Sequence, residues 1–80
     1  MGDLGYPCGM TYTLVMEPDA EGGYTVIVPA LPGCVTEGET EAECLANARE
    51  AIGLYLDELR DDGQPVPTES EPPRLVTVTV

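Results

Sequence analysis

One long stretch of the chain has the hydrophobic spacing of a helix. Its apolar positions recur every three or four residues, the pattern of an amphipathic helix with one face in the core. These positions are Leu45, Ala48, Ile52, Leu56 and Leu59. Thr40 and Glu43 have the spacing of a capping box before the stretch, and Gly63 and Pro65 are stop signals after it. The pattern predicts a single helix over about residues 41–61.

Shorter stretches have the composition and the two-residue period of strands. Residues 11–16 and 24–29 are rich in β-branched and aromatic side chains, and the spacer 17–23 is full of turn formers. This arrangement predicts a β-hairpin. Pro29 ends the second strand because it lacks an amide donor, and a short third strand is predicted at about 34–37, between Gly33 and Gly38.

A final strand is predicted at about 75–80, where Val76, Val78 and Val80 alternate with other residues. It follows a connector, residues 64–73, that contains four prolines and no regular pattern. A right-handed crossover through the helix would return this strand parallel to the first strand and beside it. The expected fold is therefore a two-layer α+β domain, β-β-β-α-β, with a four-stranded mixed sheet in the order 3-2-1-4. This is half of a ribonuclease H-like sheet with one helix on one face.

The length allows a single domain, which we expect over residues 10–80. Residues 1–9 contain three glycines and a proline and are interpreted as a flexible leader, and the hypothesis that Met10 is the native start is left open. A single helix covers only one side of a four-stranded sheet, and both sides are partly apolar. We therefore expect a homodimer or higher homo-oligomer built through the sheet, with the choice of bare face left open.

The charge balance limits the classes of partner. The formal charge is −12, from fifteen acidic residues against three basic ones. Phosphate contacts need clustered cations, so we expect no direct binding to nucleic acid. An acidic surface attracts a basic partner, although acidity also serves solubility alone. The sequence has no apolar run that predicts a membrane span and no basic signal-peptide start, so we expect a cytoplasmic protein without membrane contact.

The cysteines and the absence of histidine argue against catalysis and zinc. Cys8, Cys34 and Cys44 are odd in number and lack C-x-x-C spacing, and there is no His in the chain. They are interpreted as small buried thiols in a reducing compartment. A reactive Cys34 beside Gly33 is the alternative interpretation, but no base stands near it in sequence.

A magnesium nuclease also fits poorly. The sheet of such an enzyme carries carboxylates that converge on the metal, whereas the predicted strands 11–16, 24–29 and 75–80 contain no Asp or Glu. Glu37, Glu39 and Glu41 could hold a hard cation, but a solvated acidic turn that helps to start the helix is the favoured interpretation. We expect no enzymatic activity and no cofactor.

The segment between the hairpin and the helix carries a family resemblance. Residues 29–40 read Pro-Ala-Leu-Pro-Gly-Cys-Val-Thr-Glu-Gly-Glu-Thr and are followed by Glu43 and Ala46-Asn47-Ala48. With the flanking residues, about 12–67, this segment resembles the HicB family of type II antitoxins. The signature positions are Pro29, Pro32, Gly33, Cys34, Gly38 and Thr40. Many members add a DNA-binding module after this domain, and we expect a short form without it.

The resemblance implies a binding function. HicB antitoxins neutralise HicA, a small basic toxin with a double-stranded-RNA-binding-like fold that cleaves messenger RNA using a histidine. By resemblance, this chain is a non-catalytic module that covers the RNA surface and active site of such a toxin. The candidate contact residues are Glu37, Glu39, Glu41, Glu43, Asn47, Glu50 and Asp57. The alternative is a stand-alone oligomeric structural or ligand-binding domain with no toxin partner.

Overall fold

The computed structural model describes residues 10–80, so the predicted leader over residues 1–9 lies outside the described residues. The elements are β1 (Val15–Pro18), β2 (Tyr24–Ile27), β3 (Val35–Gly38) and α1 (Glu41–Asp61). The strands form an antiparallel sheet in the order β1-β2-β3. The α+β class, the hairpin and the order of the first three strands are confirmed.

The helix has the predicted bounds because both of its ends are specified locally. Thr40 Oγ1 accepts a hydrogen bond from the backbone N–H of Glu43 at 3.1 Å, as the capping box requires. The Glu43 carboxylate, however, accepts from the backbone N–H of Glu39 at 2.6 Å, one residue before the position that the capping box predicts. At the other end Gly63 adopts φ 72°, the left-handed conformation that ends helices and favours glycine.

The buried face of α1 is rotated from the predicted stripe at its start. Its fully buried side chains are Cys44, Ala48 and Leu56. Leu45, which was predicted to lie in the core, is 42% exposed. Because successive helical residues are about 100° apart, turning Cys44 onto the sheet turns Leu45 towards solvent.

β1 begins four residues later than predicted, at Val15 rather than residue 11. It pairs with β2 from Val15 opposite Ile27 to Pro18 opposite Tyr24. Partners for residues 12–14 would have to come from 28–30, where the chain turns at Pro29. The earlier residues therefore stay outside the ladder, although Tyr12 and Leu14 still pack against the core.

The loop between β2 and β3 contributes a core residue of its own. Leu31 is fully buried and packs with Val28, Cys34 and Leu56. Three backbone hydrogen bonds close the loop: Leu31 N to Val28 O at 3.0 Å, Cys34 N to Leu31 O at 2.9 Å and Val28 N to Cys34 O at 3.1 Å. Gly33 supplies the predicted positive φ, 83°. The loop takes positions that were predicted as strand. The second strand, predicted over 24–29, therefore ends two residues earlier than expected, and the third, predicted over 34–37, starts one residue later.

The helix covers one face of the sheet, and the pairing register identifies the other. Val26 of the covered face is buried with Cys44 and Ala48 of α1. The bare face carries the cross-strand row Val15, Ile27 and Val35, and Val35 is 56% exposed. The face of the sheet that the helix leaves uncovered is therefore the one with Val15, Ile27 and Val35.

The predicted fourth strand is missing from this sheet. Residues 75–80 have no strand pairing, and Val76 and Val78 are 81% and 84% exposed. The sheet of the described residues thus has three strands and no parallel pair, which corrects the predicted order 3-2-1-4 and its ribonuclease H-like half-sheet. A strand needs a neighbouring backbone, and after Pro72 and Pro73 this segment pairs with none within residues 10–80.

The connector before it is irregular, as predicted, but it is attached to the residues preceding β1. The Tyr12 hydroxyl donates to Pro67 O, and Glu69 accepts from the backbone N–H of Thr13 at 2.7 Å and from Thr13 Oγ1. We call these three hydrogen bonds the connector contact. The bonds from Thr13 lower the pKa of Glu69, whereas burial and then the Glu69 charge raise the pKa of Tyr12.

Candidate partner-binding groove

Gly38 allows β3 to lie directly against the start of the helix. A Cβ atom at this position would lie 2.9 Å from both the backbone N and Sγ of Cys44. Two of its nearest neighbours are helix backbone atoms, which cannot move aside without disturbing the first turn. Gly38 is absent from the glycines with positive φ, so its role is close packing rather than the conformational freedom that the sequence suggested.

The β1–β2 turn lies against the same point. Gly22 and Gly23 have φ values of 103° and 78°, and Asp19 N donates to Gly23 O at 2.9 Å to close the turn. A Cβ at Gly23 would lie 2.9 Å from Gly38 O. The hairpin turn, the end of β3 and the start of α1 therefore meet at one place.

An acidic groove of about 380 Å³ opens at this junction. Its lining consists of Asp19, Glu21, Gly22, Tyr24, Glu37, Gly38, Glu39, Glu43 and Asn47. We refer to these nine residues as the acidic groove. Five of them are carboxylates and none is Lys or Arg, so the surface is suited to cationic groups.

The structure brings together four of the seven predicted contact residues. Glu37, Glu39, Glu43 and Asn47 line the acidic groove, and the first three are exposed. The remaining three, Glu41, Glu50 and Asp57, are exposed on α1 and lie outside the groove lining.

Sequence reasoning missed Asp19 and Glu21. They were assigned only to the hairpin turn, and the strand register decides that this turn lies beside the helix start. The adjacent Gly22-Gly23 pair is the sequence signal that a tight, closely packed turn occurs there.

Asn47 has a structural bond within the groove. Its side-chain Nδ2 donates to the backbone carbonyl of Glu37 at 2.8 Å, which joins the second turn of α1 to β3. Since Glu43 also accepts from the amide of Glu39, two groove residues on the helix fix the backbone of the 37–39 segment. The carboxylates of Glu37 and Glu39 are thus carried on a backbone held from the helix side.

Two signature positions outside the groove support the loop that precedes it. The carbonyl of Pro32 accepts a hydrogen bond from the Tyr55 hydroxyl at 2.8 Å, which joins the loop to α1. Pro29 is exposed within the turn that follows β2. Both prolines therefore shape the loop that carries Leu31 into the core.

The two cysteines within residues 10–80 are buried free thiols, as predicted, whereas Cys8 lies outside the described residues. Burial raises the pKa of Cys34. Burial raises the pKa of Cys44 as well, and the nearby charges of Glu43, Glu41 and Glu39 add to the effect. Among the described residues, no group of three or more Cys, Asp or Glu side chains is placed to hold a metal ion.

A second hollow, of about 430 Å³, lies on the outer surface of α1. It is lined by Ala51, Leu54, Tyr55, Asp57, Glu58 and Asp61. Asp57 forms an exposed ion pair with Arg60 at 3.3 Å.

In the part of the chain that the structure describes, no helix has the length and apolar character to span a bilayer.

The fold and the groove are those of a small acidic α+β domain, and comparison with known proteins identifies its family. Residues 12–77 match the family described as HicB-like antitoxin of bacterial toxin-antitoxin system. The chain belongs to this family, which confirms the resemblance carried by the 29–40 segment. Membership supports an antitoxin role in general and implies a toxin partner.

Individual relatives agree with this assignment. A UPF0150 protein of Thermoplasma acidophilum is 43% identical over 61 residues, which cover 76% of this chain and 88% of the relative. A UPF0150 protein of Synechocystis is 43% identical over 58 residues, 72% of this chain and 73% of the relative. Antitoxin HicB of Escherichia coli is 34% identical over 61 residues, 76% of this chain and 44% of that longer protein.

Proposed function

We propose that this chain is a non-catalytic antitoxin that neutralises a small basic HicA-like toxin by binding it through the acidic groove. The bound chain covers the RNA-binding surface and the active site of the toxin, so that messenger RNA is excluded. The observation that carries the proposal is the junction itself, where five carboxylates and no cation line one groove. Under this proposal both proteins act in the cytoplasm, where messenger RNA is translated.

The charges of the groove suit competition with RNA. A toxin that holds a phosphate backbone must present cationic side chains, and a carboxylate surface binds those same side chains. The net charge of −12 also favours fast encounter with a cationic partner and opposes binding of nucleic acid by the chain itself. Affinity for the toxin should therefore fall as salt rises.

The wider contact surface runs from the groove along α1. Glu41, Glu50 and Asp57 are exposed on this helix and extend the acidic surface beyond the groove. An exposed charge contributes little alone, so these three residues are proposed as the rim of the interface and the groove as its centre.

We also propose that the chain self-associates through its sheet. One face of that sheet is bare and carries the row Val15, Ile27 and Val35. Association through the sheet has two possible contacts: the bare face, which would cover this apolar row, and the sheet edge, which would give residues 75–80 the neighbouring strand that they lack.

The experiment that tests the antitoxin function is to search the neighbouring reading frames for a small basic chain and to co-express it with this one. We expect growth to be rescued and the two proteins to co-purify. The key variant is Glu21→Lys/Glu37→Lys, which reverses two groove charges without touching Glu43 or Asn47. Its matched control is Glu58→Lys/Asp61→Lys, with the same charge change at the exposed far end of α1.

We expect the groove variant to weaken toxin binding by roughly tenfold or more, and the control to bind nearly as the unaltered chain does. Equal weakening by both variants would show that net charge, rather than the groove, governs affinity. Failure of the unaltered chain to bind or to rescue growth would contradict the antitoxin proposal and favour a stand-alone domain.

A further inference from the structure

The last six residues of the chain expose an unusual amount of apolar surface. Leu75 is 85% exposed, and Val76 and Val78 are exposed to a similar degree. The segment Leu-Val-Thr-Val-Thr-Val alternates as a half-buried strand does. An unpaired segment of this composition readily adds to a sheet edge, so a monomer that leaves it free is at risk of association.

The starting point of this segment lies beside β1. The connector contact holds Pro67 and Glu69 against Tyr12 and Thr13, the residues that lead into β1. Pro72 and Pro73 then extend the chain stiffly, because each fixes its own φ and restricts the residue before it. The segment therefore starts from the β1 side, and it has no backbone hydrogen bond to the rest of residues 10–80.

The two outer edges of the sheet differ in their availability. At β3 the start of α1 packs closely, and Asn47 Nδ2 occupies the carbonyl of Glu37. At β1, within residues 10–80, no further strand pairs beyond the β2 ladder. The β1 edge is thus the better acceptor for an added strand.

The covered side of β1 also lacks a full cover. The helix packs chiefly on β3 and less on β2, and Leu14 and Met16 at the β1 end are only half-buried. A strand added at this edge places alternate side chains next to them. Three valines at alternate positions, Val76, Val78 and Val80, would extend the core there.

We propose that residues 75–80 add to the β1 edge of a second copy of this chain, and that the second copy returns the same strand. This inference rests on the proposed self-association and names the segment and the edge that carry it. Six extended residues span roughly 20 Å, enough to run along all of β1. Reciprocal exchange produces a closed two-fold dimer and leaves neither β1 edge open.

The test combines molecular mass with isotope-filtered NMR on the full chain. Isotopically labelled and unlabelled chains are mixed, and contacts are sought between the Val methyls of 75–80 in one chain and the β1 amides of the other. We expect a dimer by light scattering and inter-chain contacts between these groups. Val78→Asp should weaken the dimer by roughly tenfold or more, whereas Thr77→Asp, with the same added charge on the other face, should change it by less than about threefold.

Each other outcome contradicts the proposal in a distinguishable way. A dimer that shows contacts only within one chain would mean that the segment completes its own sheet. A dimer unaffected by Val78→Asp would leave the proposed self-association standing and remove the strand exchange. A monomer at all concentrations would contradict both, while toxin binding would still report separately on the antitoxin function. Because these side chains are exposed, both variants should fold, which circular dichroism checks.

Discussion

The two edges of the sheet are held by different means. The β3 edge lies against α1, with Gly38 in contact with Cys44 and with the Asn47 side chain bonded to the Glu37 carbonyl. At the β1 side, Tyr12 and Thr13 form the hydrogen bonds of the connector contact with Pro67 and Glu69. The β3 side therefore depends on close packing, whereas the β1 side combines the partial packing of Tyr12 and Leu14 with hydrogen bonds, and those to Glu69 respond to pH.

The acidic groove and the unpaired strand edge lie on opposite sides of the sheet. The packed side carries the acidic groove, so its carboxylates sit on a backbone fixed by the helix. The lightly held side carries the bare edge and the exposed residues 75–80. Substitutions should therefore have large effects on stability near β3 and α1, and small effects near β1.

The largest effect should come from Leu31→Ala. The side chain is fully buried in the cluster with Val28, Cys34 and Leu56, so the change leaves a cavity on the packed side. We expect a loss of about 2–5 kcal/mol in the free energy of unfolding, measured by urea denaturation. Leu54→Ala is the control, because Leu54 is 65% exposed and its loss should cost less than about 0.5 kcal/mol. Similar losses for the two leucines would contradict the packing described here.

Gly38→Ala should follow, with a destabilisation of about 1–3 kcal/mol. The added Cβ meets both the backbone N and the Sγ of Cys44. Adding Cys44→Ala removes the sulfur but not the amide, so the double variant should recover only part of the loss caused at position 38. Full recovery in a double-mutant cycle would mean that the thiol alone forbids a side chain there.

A smaller, pH-dependent effect is expected on the β1 side from Glu69→Gln. The pKa of Glu69 is lowered by its hydrogen bonds from Thr13, so its contribution is present above the ordinary Glu pKa of about 4.3. That contribution is lost as pH falls through the lower folded pKa. The difference in stability between the unaltered chain and Glu69→Gln should therefore shrink in acid, as followed by Tm against pH. The exposed neighbour Glu71, replaced by Gln, provides the control, and an equal pH response there would contradict the connector contact.

The smallest effect should come from Arg60→Ala, which removes the ion pair with Asp57. Both side chains are about half exposed, lie three residues apart on α1 and take part in neither edge contact. We expect a change of no more than about 0.5 kcal/mol. This small change is the reference for the effects at the two edges. A loss above about 1.4 kcal/mol in the free energy of unfolding would show that Arg60 stabilises the fold more than an exposed ion pair does.

Features set by residues close in sequence were predicted well, and features set by residues far apart in sequence were predicted less well. The helix bounds were predicted correctly because Thr40, Glu43 and Gly63 act within a few residues of each end. The strand limits were less accurate, since β1 starts where β2 can pair with it, and that depends on the turn at Pro29. The core role of Leu31 was missed because a leucine between two prolines has no periodic neighbours.

The candidate site was predicted in part for the same reason. Glu37, Glu39 and Glu43 are near one another in sequence and line the same groove, while their role in binding a partner stays a prediction. Asp19 and Glu21 reach the groove only through the register of the sheet, which single-chain periodicity does not specify. The strand over 75–80 has the right pattern but lacks a neighbour, and a pattern alone cannot supply the chain that it pairs with.

The placement of the tyrosines makes this protein a convenient subject for fluorine NMR. There is no Trp or Phe in the chain, and of its four tyrosines Tyr12, Tyr24 and Tyr55 lie at three different sites within residues 10–80. Tyr12 belongs to the connector contact, Tyr24 lines the acidic groove, and Tyr55 bonds the loop at Pro32. Fluorotyrosine labelling would thus place separate probes at the connector contact, the acidic groove and the loop at Pro32, so that one spectrum could test both the proposed strand exchange and the proposed toxin binding.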